Sequence, residues 1–313
     1  MDNFKEFYLG KRILVTGADG FMGSHLTEKL LSYNANVSVY VRRELKNLKH
    51  AEKKLNIIFG NLEDNNSIDL IEKDNPQIIF HLAANDSVPE SIKDPVKVYN
   101  TNINTTKNVL EASRKLRDLE KLVITSSCVV YGTNFNKINE NDALKPNTPY
   151  AASKASSELL AYSYHKTFKL PITIIRPFNV YGPRKHKDVI PIFINKALKN
   201  EDIKLEGGGK ATRDFNYIDD IVNAFLVLGM NKNSLGETIN FGSGKDTSIR
   251  ELAEKIIKYC NSDSKLIDVE ERPGQDLRSL CDNSKAKNLF NWENKISLDE
   301  GLKLTIDYFK TLV

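Results

Sequence analysis

Cysteine is scarce in this chain. There are three in 313 residues, Cys128, Cys260 and Cys281. They show neither metal-ligand spacing nor a paired framework, which excludes a disulfide-stapled scaffold and suits a reducing cytosol. Long apolar runs are also missing, so no segment is expected to span a bilayer. The first residues, Met1 to Glu6, lack a basic region followed by an apolar stretch. No secretory signal is read there, and a cytoplasmic location is expected. An excess of one charge is absent too. The net charge of +4 is small for this length, so the Lys-rich stretches at 42–54 and 184–187 read as solvated faces rather than a nucleic-acid stripe. What remains is ordinary for a globular protein: 40% hydrophobic and 27% charged residues, and enough chain for a large core in one or two domains.

The pattern along the chain alternates. Apolar runs near 12–16, 36–41, 56–59, 77–81, 120–125 and 171–175 read as strands. Helical periodicity is read near 21–32, 67–73, 94–116 and 149–169. Such alternation predicts an α/β fold with a parallel sheet covered by helices on both faces. Pro171 opens the last of these strands, where a missing amide is tolerated. Beyond Arg176 the punctuation changes. Gly182-Pro183, Gly207 to Gly209, Gly242 and Pro273-Gly274 mark loops between shorter elements. This stretch reads as a smaller C-terminal lobe.

Two motifs carry chemistry. Between the first strand and the first long helix lies Gly17-Ala-Asp-Gly20-Phe21-Met22-Gly23. Glycines at a strand-to-helix turn let the backbone approach a pyrophosphate, and the helix N-terminus offers amides and a positive dipole end. The second motif is Tyr150-Ala-Ala-Ser-Lys154, at the start of a helix after Pro149. Residues four apart share a helix face, so the Lys154 ammonium is expected beside the Tyr150 phenol. A neighbouring positive charge lowers a phenol pKa toward the working pH and makes a general base. Either motif alone is more often structural: a tight turn, or a surface pair.

Together they resemble the extended short-chain dehydrogenase/reductase family, in its nucleotide-sugar epimerase and dehydratase branch. The likeness covers nearly the whole chain. Gly17, Gly20 and Gly23 match the family's cofactor loop. His81-Leu82-Ala83-Ala84 matches its strand-end segment beside the cofactor. Thr125-Ser126-Ser127-Cys128-Val129-Val-Tyr-Gly132 matches the strand carrying its catalytic Ser or Thr. Arg176 to Arg184, Thr212 to Phe215, and Arg272-Pro-Gly-Gln-Asp276 match its nucleotide-sugar contacts. The resemblance implies a Rossmann-like, doubly wound parallel sheet with a smaller α/β substrate lobe. The dinucleotide-binding domain would span 1–180, joined by about 213–242. The nucleotide-sugar lobe would be discontinuous within 181–313.

The resemblance assigns roles as follows. Tyr150 takes a proton from a sugar hydroxyl while hydride leaves the same carbon. Lys154 supports the phenolate and bonds the nicotinamide ribose. By count from Tyr131-Gly132, the catalytic hydroxyl falls on Ser127, with Ser126 the near alternative; without Tyr150 both would read as strand-end hydroxyls. In the sugar 4,6-dehydratases and related decarboxylases, a Glu stands directly before the hydrophobic-Tyr-Gly, often preceded by Asp. Here those places hold Cys128 and Val129, and neither side chain can do carboxylate chemistry. The reading is therefore a C4 epimerase: oxidation at C4, rotation of the ketone, and return of hydride to the other face. Ser87-Val-Pro-Glu-Ser-Ile-Lys-Asp-Pro95 is similar to the corresponding loop of UDP-hexose epimerases. Cys281 to Lys287 is equally similar to some 4,6-dehydratases, of the GDP-mannose or UDP-GlcNAc type. That reaction stays open, as does an NADPH-dependent 4-ketosugar reductase. A remote alternative is a dinucleotide-binding protein without catalysis, which would be expected to lose Tyr150 or Lys154. Cys128 reads as a small buried filler.

The cofactor is read as NAD(P), tightly bound and recycled. After the second strand the chain reads Val39-Tyr-Val-Arg42-Arg43, without the acid that usually meets the NAD ribose. Arg42 and Arg43 point toward NADP, and family habit toward NAD; an exposed basic loop is the alternative. Asn61 and Leu62 are expected beside the adenine, and Leu82, Ala83 and Ala84 along the cofactor. A nucleotide-diphosphate sugar suits Arg213 and Arg272. Ser87, Asn179, Val189 and Asp276 complete the expected contacts, and the stretch 188–192 the base pocket. No metal is expected. A homodimer through a four-helix bundle of 94–116 and 149–169 is implied by the family. Val96, Val98, Val109, Leu110, Leu159, Leu160 and Tyr164 would then supply apolar surface, unless they face the sheet.

Overall fold

A computed structural model describes residues 3–134, 136–271 and 277–312. In chain order the elements are α1 (Phe4–Tyr8), β1 (Arg12–Thr16), α2 (Phe21–Ser32), β2 (Asn36–Val41), β3 (Asn56–Phe59), α3 (Asn66–Asp74) and β4 (Ile78–His81). Then follow α4 (Val88–Lys93), α5 (Pro95–Lys115), β5 (Lys121–Thr125), α6 (Pro149–Phe168), β6 (Ile172–Pro177) and β7 (Val180–Tyr181). The chain continues through α7 (Val189–Leu198), β8 (Ile203–Glu206), β9 (Thr212–Arg213), β10 (Asn216–Tyr217), α8 (Ile218–Met230) and β11 (Thr238–Phe241). The last elements are β12 (Thr247–Ser248), α9 (Ile249–Cys260), β13 (Leu266–Val269), β14 (Arg278–Ser279), α10 (Ser284–Phe290) and α11 (Leu298–Lys310).

Seven strands form one sheet in the order β11-β6-β5-β4-β1-β2-β3. The pairings from β6 through β3 are parallel. Central strands such as β5 (Lys-Leu-Val-Ile-Thr) are buried at every position, because helices cover both faces and leave no solvated side. The edge strand β3 is half-buried and leaves Phe59 exposed. The order reverses between β4 and β1. At such a switch point the loops leaving the two strands part company, and ligands of doubly wound sheets bind there.

Helix boundaries follow local chemistry. The Asp94 side chain accepts from the Lys97 amide, and Pro95 takes the first helical position of α5. Thr148 and Pro149 do the same for α6, where the Thr148 hydroxyl oxygen accepts from the Ala151 amide at 3.2 Å. Both are favoured helix starts. Lys169 ends α6 in the left-handed conformation, φ 58°. The expected helix 94–116 thus shrinks at each end, because Asp94 and Leu116 are caps. Short α1 and α4 were not foreseen: neither is long enough to show a periodicity.

The chain divides into two compact units. The first comprises residues 1–130, 144–176 and 222–239, the second 131–143, 177–221 and 240–313. This differs from the expected 1–180 plus 213–242 by the loss of 131–143 and by narrower bounds at 176 and around 222–239. Residues 131–143 join the second unit because Ile138 bridges to Cys281, with the Ile138 amide donating to Leu280 O at 2.8 Å. The returning segment starts later, inside α8. The second unit holds the short pairings β10-β7, β12-β9-β14 and β13-β8, and packs Phe241 edge-on against Trp292.

In the first unit, Val98, Val109 and Leu110 are fully buried, and Leu160 and Tyr164 pack on the core. The first three face inward, while Leu160 and Tyr164 are half-buried. Of the expected set, Val96 and Leu159 are exposed, at 64% and 65%; Ile92, Tyr162 and Phe168 are further exposed apolar residues on α4 and α6. None of the three cysteines forms a disulfide. Among the described residues no helix is long and apolar enough to cross a membrane, and no acidic, His or Cys group could hold a metal.

Candidate functional site

The glycine loop lies where β1 hands over to α2. Gly17 has φ +68°, and a Cβ there would stand 2.7 Å from the Ala83 amide nitrogen. Gly23, in the first turn of α2, would put a Cβ 2.2 Å from Gly17 O. Only glycine permits this packing of loop, helix and β4 end. Gly20 is the N-cap of α2, and no side chain caps that end or places an acid in its first turn. The amides of Phe21, Met22 and Gly23 therefore begin a helix whose positive end is not neutralised locally. That is the donor set a pyrophosphate needs, so these residues fit a dinucleotide.

Asp19, inside the loop, was not singled out from sequence. Its carboxylate accepts from the Lys46 and Leu48 amides at 2.8 and 3.0 Å, and Asn47 Nδ2 donates to its carbonyl at 2.7 Å. The loop after β2 is thereby tied to the glycine turn. Arg42 and Arg43 are exposed on that loop, and Arg42 lies 3.9 Å from the Glu63 carboxylate. Asn61 turns its amide onto its own loop, accepting from Glu63 N, and Leu62 is buried in the core.

The end of β4 is fixed by β1 and α5. The Leu82 amide donates to Thr16 O at 3.2 Å and the Ala83 amide to Thr16 Oγ1 at 3.3 Å. His81 lies between Thr16 Oγ1 (2.8 Å) and Thr106 Oγ1 (3.2 Å). Burial and then the Lys154 charge push its pKa down to about 3, so the ring is neutral at any working pH. Ala84 follows, half-buried. Ser87 caps α4, its hydroxyl oxygen accepting from the Glu90 amide.

Tyr150 and Lys154 occupy the first turns of α6, both buried. Ser127 lies close enough to the Tyr150 phenol to pull its pKa down. Ser126 does not share this contact. Its amide donates to Ile175 O at 2.8 Å, and its buried hydroxyl has no partner among the described residues. The Tyr150 pKa is moved opposite to the expected direction. Burial pushes it up, Asp86 and Cys128 add to that, and only Ser127 pulls it down. Desolvation of the phenolate prevails. Lys154 itself is pushed down to about 8 by burial, against the raising influence of Glu158 and Asp86.

Glu158 continues the same face of α6, four residues beyond Lys154. Both its carboxylate oxygens accept from Arg176, from Nε at 2.8 Å and from Nη2 at 2.5 Å. Arg176 is 5% exposed, so this guanidinium, expected within a nucleotide-sugar segment, is committed to α6. The helical spacing of Tyr150, Lys154 and Glu158 was available in the sequence. Cys128 and Val129 follow Ser127 in a tight 3-10 turn, Cys128 buried and Val129 half-buried.

The expected substrate contacts Asn179, Val189 and Arg213 belong to the second unit. Asn179 Nδ2 donates to Asp214 O at 3.2 Å, Val189 opens α7, and Arg213 Nη1 donates to Thr212 O at 2.8 Å. Buried Asp214 organises this region. It accepts from the Ser243, Gly244 and Cys281 amides and from the Ser243 hydroxyl. Burial raises its pKa despite those bonds. Arg272 and Asp276 lie outside the described residues.

Comparison with known proteins agrees with this arrangement. The family described as GDP-mannose 4,6 dehydratase matches residues 14–305. A dTDP-D-glucose 4,6-dehydratase of Dictyostelium discoideum is 34% identical, covering 99% of this chain and 84% of that protein. A putative UDP-glucose 4-epimerase of Methanocaldococcus jannaschii is also 34% identical, covering 95% and 98%. Among solved structures, a UDP-glucuronic acid 4-epimerase from Bacillus cereus, in complex with UDP-glucuronic acid and NAD, superposes with a TM-score of 0.90. It is 31% identical, covering 96% of this chain and 99% of that one. A parallel sheet that reverses order beside its glycine turn, a buried Tyr-Lys pair with a serine on the phenol, and these full-length likenesses lead to one conclusion: the chain belongs to the extended short-chain dehydrogenase/reductase family, in its nucleotide-sugar epimerase and dehydratase branch.

Proposed function

We propose that this chain is an NAD-dependent nucleotide-sugar 4-epimerase acting on a UDP-sugar. The observation that carries the reading is local. Ser127 stands near enough to the Tyr150 phenol to lower its pKa, and the next two side chains are Cys128 and Val129, so this segment brings no carboxylate for removing water. NAD rather than NADP is favoured by the NAD-containing relative. Arg42, the residue that hinted at a 2′-phosphate, already has Glu63 beside it, a carboxylate a phosphate would be repelled by.

Gly17, Gly20 and Gly23, with the amides of Phe21 and Met22, would hold the pyrophosphate, and Leu82, Ala83 and Ala84 would flank the nicotinamide half. The cofactor supplies a hydride acceptor that returns the same hydride later. The residues do the rest. Ser127 donates to the oxygen shared by Tyr150 and the sugar, and Tyr150 removes the C4 hydroxyl proton as the C4–H bond yields its hydride. Lys154 and Ser127 stabilise the phenolate that must form in this dry place. After the ketone turns over, Tyr150 returns its proton to the oxygen as C4 regains hydride on the opposite face. Arg213, Asn179 and Arg272 would hold the diphosphate, with Ser87, Val189 and Asp276 around the rest of the nucleotide sugar. The exposed Val96 and Leu159, with Ile92 and Tyr162, would form the homodimer surface.

The test is the mass of the product. Purified protein is incubated with UDP-, GDP- and dTDP-sugars and NAD without reductant. A product of unchanged mass at a new chromatographic position supports epimerisation. A product lighter by one water would replace the reading with 4,6-dehydration and require a carboxylate from outside positions 128–129.

A further inference from the structure

The loops after β2 and β3 carry a charged pair that the proposed mechanism does not use. The two strands are parallel, with Val41 opposite Phe59, and the Gly60 amide donates to Val41 O at 3.0 Å. Both loops therefore leave the same sheet edge side by side, next to the strand that ends in the glycine turn. The first loop is fixed to that turn, since Asp19 binds the Lys46 and Leu48 amides. Across the two loops, Arg42 Nη1 lies 3.9 Å from Glu63 Oε1. The same oxygen accepts from Thr101 Oγ1 at 3.1 Å. Thr101 is buried in α5, and its neighbour Asn102 anchors that turn of the helix. Asn102 accepts from the Asn85 amide at 2.7 Å and donates to Ser153 Oγ at 2.8 Å. The Glu63 side chain is 25% exposed and that of Arg42 61%. The carboxylate is thus the held member of the pair, and the guanidinium the solvated one.

A dinucleotide with its pyrophosphate on the glycine turn brings its adenosine ribose to the end of the second strand. A carboxylate there accepts the 2′-hydroxyl of NAD, and an arginine there takes the 2′-phosphate of NADP. This chain has the arginine in that place and a carboxylate on the neighbouring loop. A guanidinium that already faces one anion offers less to a second, and a held carboxylate repels an incoming phosphate. We infer that Glu63 is the residue that selects NAD over NADP: it occupies Arg42 and keeps a 2′-phosphate off a side chain that would otherwise bind it. The inference deepens the proposed NAD assignment and rests on it. Selection here is a difference of affinities, and the repulsive group supplies most of it. The acid absent after β2 is in effect supplied from the loop after β3, held there by α5.

The experiment is calorimetric titration of protein freed of bound nucleotide, with NAD and with NADP, for the wild type, Glu63→Gln, and Glu63→Gln combined with Arg42→Leu. Binding is read directly, so the outcome depends on neither the sugar nor the reaction. The wild type is expected to favour NAD by on the order of thirtyfold or more. Glu63→Gln keeps the length and an acceptor for Thr101 and removes the charge. It is expected to narrow that ratio by about tenfold through tighter NADP, with NAD affinity within about twofold of wild type. Adding Arg42→Leu should weaken NADP again and restore most of the ratio. Where removal of nucleotide unfolds the protein, the nucleotides released on denaturation, after incubation with equal NAD and NADP, give the same comparison. A ratio unchanged in Glu63→Gln overturns the inference and leaves the NAD assignment and the proposed function standing. A gain in NADP that survives Arg42→Leu overturns it too, because another group then meets the phosphate. A wild type that binds NADP as tightly as NAD, or binds neither, overturns the inference together with the NAD assignment.

Discussion

Arg176 grips both carboxylate oxygens of Glu158 at the end of β6, with both side chains almost completely buried. The pair ties the third turn of α6 to the sheet and leaves a negative charge one turn from Lys154. Glu158→Gln leaves a buried guanidinium without its counter-ion, which costs about 3–5 kcal/mol. A fall in the chemical-denaturation midpoint of that size is expected. The double variant Glu158→Leu with Arg176→Met should recover most of the loss in stability but not in turnover, because Lys154 has lost its neighbouring anion in both.

Tyr150→Phe keeps the ring in the core and removes the acid-base oxygen. Turnover of the sugar substrate is expected to drop by about 10²–10⁴-fold, while the melting temperature and bound NAD stay near wild type. An unchanged rate would remove Tyr150 from the chemistry.

The glycine turn makes a sharper prediction. In Gly23→Ala the new methyl would meet Gly17 O at 2.2 Å, so loop and helix must separate. The expected result is about 1–3 kcal/mol of lost stability and purified protein that no longer carries or retains NAD, measured by release on denaturation.

Lys121 gives a pH signature remote from the catalytic residues. Its ammonium is buried, donating to Asn231 O at 2.9 Å and Ser234 Oγ at 2.8 Å, with no carboxylate present in that set. Burial pushes its pKa down to about 8. An unfolded lysine keeps its proton up to about 10.4. Between those values the unfolded chain holds more protons, so stability rises with pH, by at most about 1.4 kcal/mol per unit for each such lysine. Lys154 in the ligand-free chain contributes with the same sign. Urea midpoints at pH 8.0 and 9.5 should increase, and Lys121→Met should reduce that increase by about half.

Leu159→Glu tests the dimer. Leu159 is 65% exposed on α6, so a charge there costs the monomer little. The wild type is expected to sediment as a dimer, and the variant as a monomer at the same concentration with a correctly folded spectrum.

The layered fold was legible because its signals are local. Continuous apolar runs, glycine at the first turn, and Asp-Pro or Thr-Pro helix starts each act within a few residues. Tyr150 and Lys154 were legible by spacing. Ser127 was set before Ser126 by its count from Tyr131-Gly132; what the sequence did not show is that the Ser126 hydroxyl is buried without a partner among the described residues. The Tyr150 pKa went the other way from the sequence reading because two residues on one helix face say nothing about how dry that face is. Asp19 and Asn102 stayed hidden for a related reason. They act through partners far off in sequence, and nothing in their own neighbourhoods distinguishes them from surface polar residues. Arg176 misled in the opposite sense: its motif suggested a ligand, and a carboxylate on α6 had already claimed it.

The bonds from Asp19 to residues 46–48 turn two loops into one clasp, on the side where the adenosine half of a dinucleotide would lie under the proposed reading. Opening either loop means breaking three hydrogen bonds at once, so escape of the cofactor is tied to a collective motion instead of the fraying of one strand end. A catalyst whose cofactor ends each cycle in the oxidation state in which it began gains nothing from exchange with the bulk. On the proposed epimerase reading slow release is an asset, and the clasp would make a transient cosubstrate a resident part.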